Sequence, residues 1–157
     1  MLDDKIQIAI GYYKNAIQKQ ELAEYCINTG KYKQAIPLDY YYIFNLCRLI
    51  YSLEYTDTSS HKTLLGNFNK TYIHEQKIFN RKYGSFLHTL EKQRGLCDYE
   101  ANYPMDKDMA LFLHEESKEF ATYLLAYVNQ KYKDEFTDIF STEDIDKTDD
   151  YDPYTDD

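Results

Sequence analysis

Arg94 is one of three arginines in a chain of 157 residues, and it stands in the segment Arg94-Gly95-Leu96-Cys97-Asp98-Tyr99, in phase with an apolar helical stripe. A guanidinium on the inward side of a helix needs a partner, because an uncompensated buried charge is costly and its planar fork pairs in ways an ammonium cannot. Asp98, one turn further on, is the nearest carboxylate, so the two read as a helix-end ion pair. Arg81 and His88 form a second pairing of types that do chemistry. Six residues separate them, and the resulting step of seven is close to two helical turns, which puts a permanent cation and a proton carrier on one face. His61 is a third candidate, placed at the start of a short helix that would have to fold back toward Arg94. Lys31, Lys33, Lys62 and Lys70 offer a modest surface for an anion, or simply a solvated face.

Metal chemistry is not indicated. Cys26, Cys47 and Cys97 are odd in number, lie within helical patterns and lack ligand spacing, which suits free thiols in a reducing compartment. Asp144, Asp146 and Asp149 alternate as in a calcium loop, but the turn glycine and the closing glutamate are missing. No cofactor is expected.

The elements that must position these side chains are helices. Ala9, Tyr13, Ala16, Gln20, Ala23 and Ile27 step by four and three, and Gly30 suits a C-terminal cap. The apolar run from Tyr40 to Leu53 is too long for one strand and reads as a buried central helix, with Pro37 at its first turn or kinking it. Thr58, Ser59 and Ser60 supply capping hydroxyls for a short third helix carrying His61, Leu64, Leu65 and Phe68. Tyr83, Leu87, Leu90, Arg94 and Cys97 define a fourth helix, which Pro104 follows. Ala110, Leu113, Ser117, Phe120, Leu124 and Tyr127 define a fifth, with Asp106 and Asp108 near its positive end. No strand is predicted, and an all-α antiparallel bundle of about five helices is the natural architecture.

Charge divides the chain in two. From Asp134 to Asp157 there are 11 acidic residues against Lys147 alone, so removing that net of −10 from the formal −9 leaves residues 1–133 at about +1. The predicted organisation is a helical domain over 1–133 and an acidic tail over 134–157, largely disordered after roughly residue 142. Such a tail confers solubility, or shields a nucleic-acid or partner surface of its own protein. Nothing resembles a signal peptide or a membrane span, so a cytoplasmic protein with no membrane partner is expected. The 18 tyrosines fall mostly at helical spacing or in the apolar run, which makes them core and interface rather than stacking platforms.

The order of segments resembles the HEPN superfamily. The residues that carry the resemblance are Thr29-Gly30-Lys31-Tyr32 through Ala35, Asp39-Tyr40-Tyr41-Tyr42-Ile43-Phe44, Ser60-His61-Lys62, Tyr83-Gly84 and Arg94 to Tyr99, within about residues 9–128. The branch it looks most like carries Tyr-Tyr-x-x-Phe, Ser-His-Lys and Arg-x-x-x-Asp-Tyr motifs. What the resemblance implies is a helical bundle, homodimeric, in a prokaryotic toxin-antitoxin, antiphage or nucleotidyltransferase-associated module, with an antitoxin, a partner nucleotidyltransferase or RNA as partners. Active members are metal-independent endoribonucleases, with an arginine and a following histidine separated by four to six residues. RNA carries its own nucleophile, so a histidine moves the proton and a guanidinium stabilises the phosphate charge. Here Asp98 and Tyr99 stand where that histidine would follow Arg94, while Arg81 and His88 match the spacing elsewhere. Tyr99 is, by the same resemblance, a candidate acceptor for a partner nucleotidyltransferase. The alternative is a non-catalytic adaptor that binds a nucleotide or a partner enzyme.

Overall fold

The computed structural model describes residues 2–56 and 60–136. It consists of α1 (Leu2–Asn28), α2 (Tyr32–Glu54), α3 (His61–Phe68), a π-helical stretch (Asn69–Glu75) that continues α3, α4 (Lys82–Tyr99) and α5 (Lys107–Phe136). Among the described residues there is no strand, and the molecule is the all-α bundle of five helices that the apolar periodicity implies. No described helix is long and apolar enough to cross a membrane.

Gly30 ends α1 with φ at 76°, a conformation that costs a side chain dearly and glycine little. Its N–H donates to the Ile27 carbonyl at 3.2 Å and the Lys31 N–H donates to the Cys26 carbonyl at 2.7 Å, so two of the orphan carbonyls of the last turn are satisfied. The chain reverses there, and α2 packs along α1. α2 begins at Tyr32, ahead of the apolar run, so Pro37 falls in the second turn and the helix continues through it. Proline there removes a backbone donor, and tertiary burial outweighs the loss. α2 is the central element, touching α1, α3, α4 and α5, with Ile36, Tyr40, Leu46, Leu49 and Ile50 almost fully enclosed.

The short α3 starts where Ser60 accepts the Thr63 N–H at 3.3 Å, while Thr58 and Ser59 lie outside the described residues. Asp106 opens α5 in the same way, accepting the Met109 N–H at 2.7 Å. An aromatic column joins these elements. Phe68 and Tyr72 lie 4.6 Å apart, Phe79 meets Phe120 edge-on at 5.8 Å, and Tyr83 stacks on Phe120 at 4.3 Å. Each such ring contributes about 1.5–3 kcal/mol through burial alone. Tyrosines are thus core in large part, although Tyr25, Tyr55 and Tyr99 are exposed.

α5 runs three residues past the boundary expected at 133, and Phe136 is buried beyond a local departure from helical geometry at Tyr132. Residues 137–157, the remainder of the acidic tail, lie outside the described residues. Cys26, Cys47 and Cys97 are buried free thiols.

Candidate functional site

Tyr40, Phe44 and Arg48 recur every fourth residue and therefore share one face of α2, with Tyr41 on the adjoining row. Ser60 fixes the first turn of α3, and this brings the His61 ring onto that face. The imidazole stacks on Phe44 with centroids 3.9 Å apart and meets Tyr41 edge-on at 5.8 Å. Two guanidiniums flank it. Arg48 lies over Phe44 at 5.6 Å and over Tyr12 at 5.3 Å, and Arg94, arriving from α4, lies over Tyr40 at 4.6 Å and Tyr41 at 5.9 Å. Lys19 of α1 adds a further cation at 6.0 Å from the Tyr41 ring. Four elements thus converge on a patch in which cations alternate with aromatic faces.

Electrostatics tune the histidine. Partial burial, then the charges of Arg48 and Arg94, hold the His61 pKa below the ordinary imidazole value, with Glu91 pulling weakly the other way. The ring is therefore neutral and basic at neutral pH. Burial pushes the Tyr40 phenol up to about 12, so it remains a proton donor.

Arg94 is bound more loosely than an inward guanidinium clamped by a carboxylate. Its side chain is 16% exposed, one terminal nitrogen is 3.6 Å from an Asp98 oxygen, and Nε is buried with no hydrogen-bond partner. Asp98 is itself a third exposed, so the ion pair exists without bidentate geometry. The guanidinium lies against the Tyr40 face, and the Tyr40 and Tyr99 phenols interact with it beside Asp98.

Arg81 and His88 occupy a different place. Arg81 stands just before α4 with no capping bond of its own, and with His88, His74, Asn69, Ser85 and Thr89 it lines an open groove of about 420 Å³ against the π-helical stretch. Lys62 lines an adjoining groove of about 190 Å³ with Leu65, His88 and Glu91. The sequence spacing thus brings Arg81 and His88 to one groove, but not to the groove's neighbour at His61 and Arg94. Tyr99 is 78% exposed at the last residue of α4. Lys33 does not serve an anion surface, since its ammonium donates to the Glu100 and Ala101 carbonyls at 2.9 Å each, beyond the end of α4.

Two polar clusters escaped sequence reasoning. His114 is buried in α5, where its Nδ1 lies 2.9 Å from an oxygen of the fully buried Asp39 and its Nε2 meets the half-buried Glu24, which Lys118 also approaches at 3.7 Å. Its position four residues after Ala110 and three before Ser117 puts it in phase with the buried stripe, which was the available signal. Glu54 is the second centre. Its carboxylate accepts from Tyr72 at 2.6 Å, Tyr127 at 2.9 Å and Tyr132 at 2.8 Å, and pairs with Lys131 at 2.5 Å. Among the described residues no three His, Cys, Asp or Glu side chains are arranged to hold a metal ion.

Comparison with protein-family models, with curated proteins and with solved structures gave no match.

Proposed function

We propose that this chain is a HEPN-like RNA-acting component of a prokaryotic toxin-antitoxin, antiphage or nucleotidyltransferase-associated module, and that His61, Arg94 and Arg48 form its reacting centre. The observation that carries this reading is a neutral imidazole packed among the same rings that seat two guanidiniums. Tyr40 and Phe44 are buried and seat the cations, the part-exposed Tyr41 ring takes an unpaired base, and the guanidiniums take the adjoining phosphate. His61 accepts the proton of a ribose 2′-hydroxyl as that oxygen bonds to phosphorus. The bond from phosphorus to the 5′-oxygen breaks, the 5′-oxygen takes a proton from solvent, and the products are a 2′,3′-cyclic phosphate and a 5′-hydroxyl. Arg94 and Arg48 stabilise the negative charge that builds on the phosphoryl oxygens.

The test is incubation of purified protein with unstructured RNA in a chelator, with the product ends identified. Cleavage to cyclic phosphate is expected, with a loss of about 10²- to 10⁴-fold in His61→Ala and a comparable loss in Arg94→Ala. Because the base form of His61 is required and its pKa is lowered, the rate should rise with pH and level off below the ordinary histidine value of about 6.5. Loss confined to His88→Ala would move the centre to the α4 groove and overturn this assignment. Micromolar RNA or nucleotide binding without cleavage would favour the adaptor reading, for which the same stacking cations provide the grip.

A further inference from the structure

All three arginines of the chain, and three of its four histidines, lie on α2, α3, the π-helical stretch and α4 or, for Arg81, immediately before α4. Arg48, Arg94 and His61 belong to the aromatic patch, and Arg81, His74 and His88 belong to the groove beside it. The two places are linked. Lys62, the neighbour of His61, lines the smaller groove, and Glu91 lines it too while lying close enough to His61 to influence its charge. The smaller and larger grooves share Asn69, Gly84 and His88 as walls.

The local backbone explains how the larger groove is built. In an α-helix two residues five apart point about 140° away from each other. The wider turn of a π-helix, whose bonds run from i to i+5, brings such residues back onto one side. Asn69 and His74 are five apart within this stretch, and both line the groove. Its opposite wall is α4, which comes so close that a Cβ on Gly84 would stand 2.7 Å from the Asn69 side-chain oxygen. The larger groove is thus lined by one permanent cation, two imidazoles, an amide and two hydroxyls, with no carboxylate. That set of donors and cations suits phosphate oxygens.

We infer that the groove between the π-helical stretch and α4 is a second phosphate-binding site, in which Arg81, His74 and His88 hold the backbone of a polynucleotide, one base of which stacks at the part-exposed Tyr41. From Arg81 to Arg94 the rise along α4 is about 20 Å, so one strand must extend several nucleotides to engage both. This inference rests on the reading of the patch as an RNA site, and it adds a substrate class: single strands longer than a dinucleotide.

The experiment compares binding of 2′-O-methyl oligonucleotides, which cannot be cleaved, at two and eight nucleotides. The octamer is expected to bind at least tenfold more tightly than the dinucleotide. Arg81→Gln combined with His88→Gln should narrow that ratio to within about threefold and reduce the octamer's salt dependence by the equivalent of one to two phosphate contacts. A ratio and a salt slope that survive in the double variant overturn the proposal. A second measurement separates the two readings: inorganic tripolyphosphate is titrated while the imidazole NMR signals of His74 and His88 are followed. Shifts there, in a protein that binds no oligonucleotide, uphold the phosphate site and sink the RNA reading. No shift, together with no length dependence, sinks the site.

Discussion

His114 sits between carboxylates from two other helices, and the direction in which each group's proton affinity moves sets how the fold responds to pH. Burial alone would lower the imidazole's pKa, but the hydrogen bond and charge of Asp39, joined by Glu24, raise it above the ordinary value. Burial pushes the Asp39 carboxyl up against the pull of the imidazolium, while the His114 hydrogen bond holds Glu24 down, with Lys118 assisting. Glu115 faces Lys118 at 3.5 Å and completes the charged surroundings. A folded-state pKa raised in His114 means stabilisation that is complete below the unfolded value of about 6.5 and is lost as pH rises through the raised value. The denaturation midpoint is therefore expected to fall from pH 6.5 upward, and a flat midpoint over that window would refute the assignment. His114→Leu leaves Asp39 buried without its partner and is expected to cost about 3–5 kcal/mol, read from urea denaturation at pH 6.

At the scale of elements, Glu54 does for the far end of α2 what Gly30 does for its beginning. Its one carboxylate accepts from Tyr72 of the π-helical stretch and from Tyr127 and Tyr132 of α5, so three elements are pinned at one point. Burial opposes its ionisation, but the hydrogen bonds from Lys131 and the three phenols prevail and hold its pKa below the usual glutamate range. A depressed carboxylate contributes stability present above about pH 4.5 and lost as pH falls through the folded value. Glu54→Gln is expected to cost about 2–4 kcal/mol at neutral pH and to abolish that acid limb. Urea midpoints of both proteins between pH 3 and 7 check it. The four long helices and the Ser60 cap were legible because three- and four-residue periodicity and capping chemistry are local. The π-helical stretch was not, since no residue spacing marks a widened turn and the close approach of Asn69 to Gly84 involves a different helix. Nor was the partnership of His114 with Asp39, 75 residues away, because no local pattern says which buried carboxylate an imidazole will find. His61 and Arg94 were legible as candidates, while their shared aromatic bed needed the crossing of α2, α3 and α4. Arg48, the third member, was passed over because it interrupts an apolar run and gives no motif of its own.

For the whole molecule, the distribution of charge matters more than its sum. The formal charge of −9 is concentrated at the C-terminal end, whereas the arginines and three of the histidines gather on one side of the bundle, on α2 through α4. A polynucleotide approaching that side meets attraction from the patch and repulsion from the acidic residues of the chain, and both are screened over about 10 Å at 0.1 M salt. Removing the residues after Ser141 deletes eight acidic side chains and Lys147, which takes the formal charge from −9 to −2. If the acidic segment competes with RNA for the cations, the truncated protein should bind a 2′-O-methyl octamer more tightly, by about three- to tenfold at 50 mM salt, with the gain shrinking toward nothing as salt is raised. Combining the truncation with Arg94→Gln separates competition from general repulsion. A segment that covers the patch loses most of its effect once Arg94 is neutral, whereas a diffuse field acts equally on both backgrounds. Equal gains in the two backgrounds would therefore exclude direct shielding, and no gain in either would leave the segment without influence on RNA binding.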